Sequence, residues 1–346
     1  MPHPRILPAR ARIADVREYL AGLGARPAHA RRVLHAWVRR VSLDRRHSRA
    51  EDFLPKSVRA ALPVLLAELE GLARQVSAHP GQDASMRLLL ALADGQSVES
   101  VLLPGSGLCV STQVGCAVGC AFCMTGQEGL KRQLGSAEIV AQVALARRLR
   151  PVRKVVCMGM GEPAHNLDNV LEAIQCLGTE GGIGHKNLVF STVGDARVFE
   201  RLLQGPVKPA LALSLHTTRA DLRARLLPRA PAMDPAELVA RGEVYARATG
   251  HPIQYQWTLL AGVNDSEAEV EAIARMLAGK YAMMNFIPYN SVPGLAYQRP
   301  AREWATHLAG LLRRRGIVTH VRNSAGQDVE AGCGQLRARG CMPRQA

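Results

Sequence analysis

Four of the eight cysteines fall within fifteen residues: Cys109, Cys116, Cys120 and Cys123. The last three form the run Cys116-Ala-Val-Gly-Cys120-Ala-Phe-Cys123, a C-x3-C-x2-C spacing. Three thiolates on one short loop can each hold an iron of a 4Fe–4S cube, leaving the fourth iron without a protein ligand. An iron open in this way can bind and reduce a substrate molecule. Zinc would normally want four ligands with C-x2-C pairs, and no second pair lies nearby. Gly159-Met160-Gly161-Glu162-Pro163 adds glycines that let backbone approach a ligand, and a carboxylate able to accept hydrogen bonds from an ammonium group. Ser191, Ser214, His216 and Asn290 offer further polar atoms. Singly such a Ser or Asn reads as a helix cap, so only their convergence would make them ligands. Cys333 lies in Ala331-Gly332-Cys333-Gly334-Gln335-Leu336, where glycines can leave a sulfur accessible to react. Cys109 and Cys333 are read either as reactive thiols or as two buried ones. Cys157 and Cys176 suit the buried reading, and Cys341 in a polar tail is incidental.

The elements that must position these residues follow from hydrophobic periodicity. Ile13–Leu23, Pro27–Val41 and Pro55–Leu72 carry apolar residues three and four apart, and the helical pattern extends to about residue 95. It is interrupted by Met86–Leu92, Asp94-Gly95 and Ser97–Leu103, a strand–turn–strand hairpin. Strand candidates then alternate with helices: Leu108–Val114, Lys154–Met158, Asn187–Thr192, Ala210–Leu215, Ile253–Leu259 and Met283–Pro288, with Ile317–Arg322 last. Between them lie Ser136–Leu149, Leu167–Leu177, Asp195–Leu203, Asp234–Thr249, Asp265–Leu277 and Ala301–Arg315. Six βα repeats predict an α/β fold with a parallel sheet. Six is short of the eight of a closed barrel, so an open, partial TIM-like (βα)6 barrel is expected. The expected division is a basic helical accessory domain at 1–84, a hairpin linker at 85–107, the core at 108–336 and a polar tail at 337–346. Ligands of such sheets bind at the C-terminal strand ends, where the cysteine run, the GMGEP turn, Ser191, Ser214, His216 and Asn290 all fall.

Charge suggests a partner. The 346 residues carry 44 basic and 29 acidic side chains, a net +15. Residues 1–50 hold twelve Arg against Asp15, Glu18 and Asp44. An excess of this kind favours a polyanion, nucleic acid first. The rival explanation, an Arg-biased composition of 38 Arg to 6 Lys, accounts for Arg over Lys but not for basic over acidic. Arg31, Arg32, Arg39 and Arg40 around Trp37 suit a helix that grips RNA or DNA, or equally an amphipathic helix with Trp37 in its core. Aromatic residues at 4% argue against a multi-base stacking platform. No apolar run is long enough for a membrane span, and no secretory leader is recognisable, so a cytoplasmic location is expected. A disulfide scaffold is not expected there.

The cysteine run, with Phe122 before its last Cys, resembles the radical S-adenosylmethionine superfamily. In that superfamily the open iron chelates S-adenosylmethionine, and one electron cleaves it to a 5′-deoxyadenosyl radical. Together CVSTQVGCAVGCAFCMTG, the GMGEP turn, FSTVG, LSLH and the terminal DVEAGCGQL resemble the RlmN/Cfr family of RNA methyltransferases. The likeness runs from about Arg26 to Leu336.

The resemblance implies that Cys116, Cys120 and Cys123 hold one 4Fe–4S cluster. It implies that Gly161, Glu162, Ser191, Ser214, Leu215, His216 and Asn290 contact S-adenosylmethionine, two molecules being used per turnover. Cys333 would be methylated and then crosslinked to RNA, Cys109 would resolve the crosslink through a transient disulfide, and Glu99 would accept a proton. The implied reaction is methylation of an adenine, at carbon 2, in 23S ribosomal RNA and in some members tRNA. Carbon 8 is the alternative within the class. A flavodoxin or ferredoxin would supply electrons, and a monomer is expected. From other classes come a cluster-bearing RNA-binding or redox protein without methyl transfer, and a radical enzyme acting on a small metabolite or a protein glycine. An electron carrier needs neither the Cys333 loop nor the GMGEP turn. The chain departs from the family pattern in a shorter Glu99–Cys109 spacing, in Thr217-Thr218, in Leu227-Pro228-Arg229-Ala230-Pro231 and in Ser291. These departures lie near the expected mouth.

Overall fold

A computed structural model describes residues 5–44 and 49–337; Cys341 and most of the polar tail lie outside the described residues. Its centre is a ten-stranded sheet. The first three strands are antiparallel: β1 (Ala73–Pro80), β2 (Met86–Leu92) and β3 (Ser97–Leu103). β3 pairs antiparallel with β4 (Gly107–Cys109). A separate two-stranded ribbon is made by β5 (Gln113–Gly115) and β6 (Leu130–Gln133). From β4 onward the main sheet is parallel, through β7 (Lys154–Cys157), β8 (Leu188–Thr192), β9 (Ala210–Ser214), β10 (Ile253–Leu259), β11 (Ala282–Pro288) and β12 (Val318–Val321). In the strand order β1 and β12 are the two ends, which is the open form expected of six βα repeats.

The parallel strands are runs such as Leu188-Val189-Phe190 and Ala210-Leu211-Ala212-Leu213, buried throughout because helices cover them. Helix Ser136–Leu149 is buried along most of its length. The sheet lies on one side of it and the N-terminal helices Ile13–Gly22, Pro27–Arg39 and Lys56–Gly71 crowd the other, so one apolar core runs from Leu7 to Leu336. Ile13 N–H donates to Ser136 Oγ at 2.8 Å and fastens the N-terminal region to that helix. Trp37 belongs to this core, so it is not available to stack on a base, whereas Arg31, Arg39 and Arg40 stay exposed.

Two expectations are corrected. Residues 73–80 are strand rather than helix: ARQVSAHP is an edge strand, mostly unburied and broken by a register shift between Gln75 and Ser77, so it lacks a period-two apolar signal. The strand expected over Leu108–Val114 is split. Thr112 and Gln113 N–H both turn to Met160 O (2.8 and 3.2 Å), and the chain leaves the main sheet there to enter the ribbon β5–β6.

Candidate active site

At the C-terminal ends of β7–β11 opens a cleft of about 150 Å3. Cys116, Cys120 and Cys123 line one side; Gly161, Glu162, Ser191, Ser214 and His216 line the opposite ends of successive strands; Cys333 closes the top. Nine of the residues singled out from sequence therefore meet in one place. Four do not line it: Leu215, Asn290, Cys109 and Glu99.

The cysteine loop has its own apolar shell, in which Val118, Phe122, Leu222, Leu226 and Tyr289 pack together. It is stitched to the segment after β9, Ala121 N–H donating to Leu226 O (2.9 Å) and Arg229 N–H to Val118 O (3.2 Å). Gly119, at φ 65°, leaves the room that the Arg229 guanidinium occupies. Burial raises the thiols, Cys116 to about 12, so a cation is needed before they ionise. Among the described residues no three His, Cys, Asp or Glu side chains gather around one point as a single ion requires. Three thiols on one short loop, lining one cleft, suit a cube, where each meets a different iron.

Glu162 is buried and its carboxylate is tied down. Oε1 accepts from Ala164 N–H and Oε2 from Val193 N–H, each at 3.0 Å, while Gln113 Oε1 accepts from Glu162 N–H at 2.7 Å. Burial outweighs these bonds and pushes its pKa up to about 7. A cationic or amino group entering the cleft would restore the carboxylate. Gly161 stands at φ 106°, and a Cβ there would fall 2.6 Å from Gln113 Cβ, so only glycine suits the turn.

His216, also in the left-handed region (φ 63°), stacks edge-on against Phe122 with ring centres 4.9 Å apart. Its Nδ1 accepts from Thr258 N–H at 3.0 Å. Burial, reinforced by the nearby Arg223 charge, lowers its pKa to about 3. The ring is therefore neutral at physiological pH and carries its proton on Nε2.

Cys333 is exposed. Its thiol lines the cleft, where burial raises it and the Ser324 hydroxyl opposes that rise; Cys123 lies close enough to contribute. Cys109, by contrast, is buried in β4, and its thiol is raised by burial and then by the neighbouring Cys333. Both are free thiols. Asn290 Nδ2 donates to Cys333 O (3.0 Å) and Ser324 Oγ (2.8 Å), so it holds the Cys333 loop from below. Met124 N–H to Gly334 O (2.7 Å) and Thr125 Oγ1 to Leu336 O (2.6 Å) tie that loop directly to the cysteine run. Leu215 is fully buried and gives its N–H to Gln256 O. Glu99 is fully buried beneath the loop, ion-paired with Arg87 and accepting from Arg337 N–H at 3.0 Å.

Arg223 was not legible in the sequence. Its buried guanidinium donates to Ser214 O (3.2 Å) and to Val193 O, bracing the ends of β8 and β9, and its charge faces Cys120 and Glu162. The sequence departures also find structural work. Glu269 accepts from Thr218 N–H (2.9 Å) and from Thr217 Oγ1, and Ser291 O accepts from Gln335 Nε2 (2.9 Å).

A parallel α/β sheet with a three-cysteine loop at its carboxyl ends, a glycine–glutamate turn beside it and a neutral buried His defines a radical S-adenosylmethionine enzyme. Residues 110–276 match the Radical SAM superfamily. A probable RNA methyltransferase of Azoarcus sp. (strain BH72) is 71% identical over 328 residues, 95% of this chain and 94% of that one. One from Leptothrix cholodnii is 69% identical over 332 residues, 96% of both. A crystal structure of a radical SAM methyltransferase from Sphaerobacter thermophilus, 36% identical, superposes with a TM-score of 0.84 over 97% of this chain and 100% of that one. The chain belongs to the RlmN/Cfr family of radical S-adenosylmethionine RNA methyltransferases. It is a methyltransferase, with a 4Fe–4S cluster and S-adenosylmethionine implied by the superfamily, and the donor set of the cleft fits both. Among the described residues no helix is long and apolar enough to cross a membrane.

Proposed function

We propose that this chain methylates an adenine of RNA at carbon 2, in 23S ribosomal RNA and in tRNA, through a methylated Cys333 and a transient protein–RNA crosslink. The supporting observation is Cys333 itself: an exposed thiol on a glycine-flanked loop, in the cluster cleft and beside both Cys123 and Cys109. A redox or RNA-binding protein that only carried a cluster would have no use for a thiol there.

When bound, the cluster supplies, from a flavodoxin or ferredoxin, the electron that converts S-adenosylmethionine to a 5′-deoxyadenosyl radical. Glu162, Ser191, Ser214 and His216 hold S-adenosylmethionine at the strand ends. The Cys333 sulfur loses its own proton and takes the methyl of a first molecule, with S-adenosylhomocysteine as the leaving group. A hydrogen atom passes from the S-methyl group to the 5′-deoxyadenosyl radical drawn from a second molecule, which leaves as 5′-deoxyadenosine, and the carbon radical on sulfur bonds to the adenine ring. Carbon 2 lies in an amidine and is not nucleophilic, so radical addition avoids a displacement the base cannot perform. Glu99 takes the proton from that carbon while the adduct radical returns one electron to the carrier that supplied it, which restores the aromatic ring. The Cys109 sulfur then attacks Cys333, the carbon leaves on RNA as a methyl after protonation, and the resulting disulfide is reduced by an external thiol before the next turnover. Such a disulfide is transient, of the kind a reducing cytoplasm tolerates.

The test is anaerobic reconstitution with methyl-labelled S-adenosylmethionine and unmodified 23S rRNA and tRNA transcripts. Cys109→Ala should accumulate a labelled protein–RNA adduct on a denaturing gel, and Cys333→Ala should form none. Cofactor cleavage without label in RNA would overturn the methyl transfer, and turnover by Cys109→Ala without an adduct would overturn the pairing of the two thiols.

A further inference from the structure

We infer an anion site, on the face opposite the cysteine cleft, that holds the phosphodiester backbone of the RNA; the inference rests on RNA being the substrate. A cavity of about 590 Å3 opens where helix Ser136–Leu149 ends, and five arginines line it: Arg39, Arg147, Arg148, Arg150 and Arg153. No carboxylate is among the described lining residues. Residues 150–153 run directly into β7, and the opposite wall, 181–187, runs into β8. The cavity thus sits at the amino ends of strands whose carboxyl ends carry the catalytic cleft. A strand of four or five residues separates them by roughly 13–17 Å.

The arginines divide into two kinds. Arg147 is fixed by donating to Val38 O and Gly181 O, both at 3.0 Å, and Arg150 by donating to Ala84 O (2.8 Å) and Leu103 O. Carbonyls orient these guanidinium groups without neutralising them. Arg148 has a 3.4 Å contact with Glu70. Arg39 and Arg153 are exposed and have no ion-pair partner among the described residues. Like charges held together repel, as the effect of Arg39 on Arg147 reflects, and an anion relieves that repulsion.

The chemistry of the wall selects the anion. Guanidinium forks match phosphate oxygens in pairs, and several of them spread around an open cavity can follow successive phosphates. The lining holds no aromatic side chain to stack a base, and Asn187 is its one side-chain amide. It is suited to hold backbone rather than to read sequence. Arg39 is supplied by the Arg-rich N-terminal region, which gives that region's charge a specific place to act.

The experiment measures binding of an unmodified 23S rRNA fragment and of a tRNA transcript across a salt series. It compares wild type, Arg39→Gln/Arg153→Gln, and a control with the same charge loss on distant helices, Arg275→Gln/Arg302→Gln. Two lost phosphate contacts lower the slope of log affinity against log salt by about 1.4–1.8, or roughly 25- to 60-fold in affinity at 0.1 M salt. The control should change little, and Arg153→Lys should keep most of the slope. Unchanged thermal midpoints confirm that each variant is folded. If wild type binds RNA and the two double variants have equal slopes, the anion site is overturned while the substrate reading stands. If wild type binds neither RNA, both fall.

Discussion

The Arg87–Glu99 ion pair is buried, with side chains 6% and 0% exposed, directly beneath the Cys333 loop. Arg87 Nε also donates to Val329 O at 2.6 Å, and Glu99 Oε2 accepts from Arg337 N–H at 3.0 Å. The pair therefore clamps the loop on both sides of Cys333. Arg87→Met removes the cation at similar volume and takes from a fully buried carboxylate its ion-pair partner. Orphaning a buried charge costs about 3–5 kcal/mol, and the lost bond to Val329 O adds about 1 kcal/mol. Glu99→Leu strands the guanidinium at similar cost. Arg87→Met/Glu99→Leu removes both charges and should lie within about 2 kcal/mol of wild type, so the coupling energy should exceed about 3 kcal/mol. Urea unfolding of the four proteins at pH 7 measures it. A coupling below about 1 kcal/mol would refute the argument that this pair is a buried latch. The same proteins separate the roles of Glu99 in methyl transfer. If Glu99 only positions, the double variant recovers turnover; if it accepts the adenine proton, the double variant folds and stays inactive.

Other expectations concern the cleft. Glu162 has a folded pKa raised to about 7 from its ordinary 4.5, so its contribution to stability is complete below pH 4.5 and is lost as pH rises through 7. The unfolding free energy of Glu162→Gln minus that of wild type should therefore rise by about 3 kcal/mol between pH 4 and 8; a flat difference would show that the carboxyl is not held protonated. The same variant should bind S-adenosylmethionine at least tenfold more weakly, by calorimetry on reconstituted protein, for want of a carboxylate. Gly161→Ala should likewise lose S-adenosylmethionine binding, because its methyl displaces the Gln113 side chain that holds Glu162 N–H; binding within twofold of wild type would contradict that geometry. Asn290→Ala should slow methylation of Cys333, followed by intact mass, about tenfold while leaving S-adenosylmethionine affinity nearly unchanged, since Asn290 holds the loop rather than lining the cleft. A loss of affinity instead would return Asn290 to the cofactor contacts.

The parts of this molecule that a sequence discloses are those whose signal is local. The parallel strands are short apolar runs because both faces are covered, and Ile253–Leu259 is read to the residue. The C-x3-C-x2-C spacing is local in the same sense, since Cys116, Cys120 and Cys123 fall within eight residues. Strand β1 gave no such signal, because an edge strand half open to water has no need of alternating apolar residues. The polar supports of the site are hidden for another reason. Arg223 and Asn290 look like ordinary polar residues until strands and loops far apart in sequence close over them. Cys109 and Cys333 are the extreme case, 224 residues apart. What unites them is a reciprocal exchange at the β1–β2 turn: Gly326 N–H donates to Asp83 Oδ2 at 3.0 Å, and Gln82 N–H to Asp328 Oδ2 at 2.9 Å. With Arg87 and Glu99 this exchange docks the C-terminal loop on β2 and β3, and β3 pairs with β4, which carries Cys109. The hairpin, which from sequence was only a linker, is thus, with the β1–β2 turn, what brings Cys109 to Cys333.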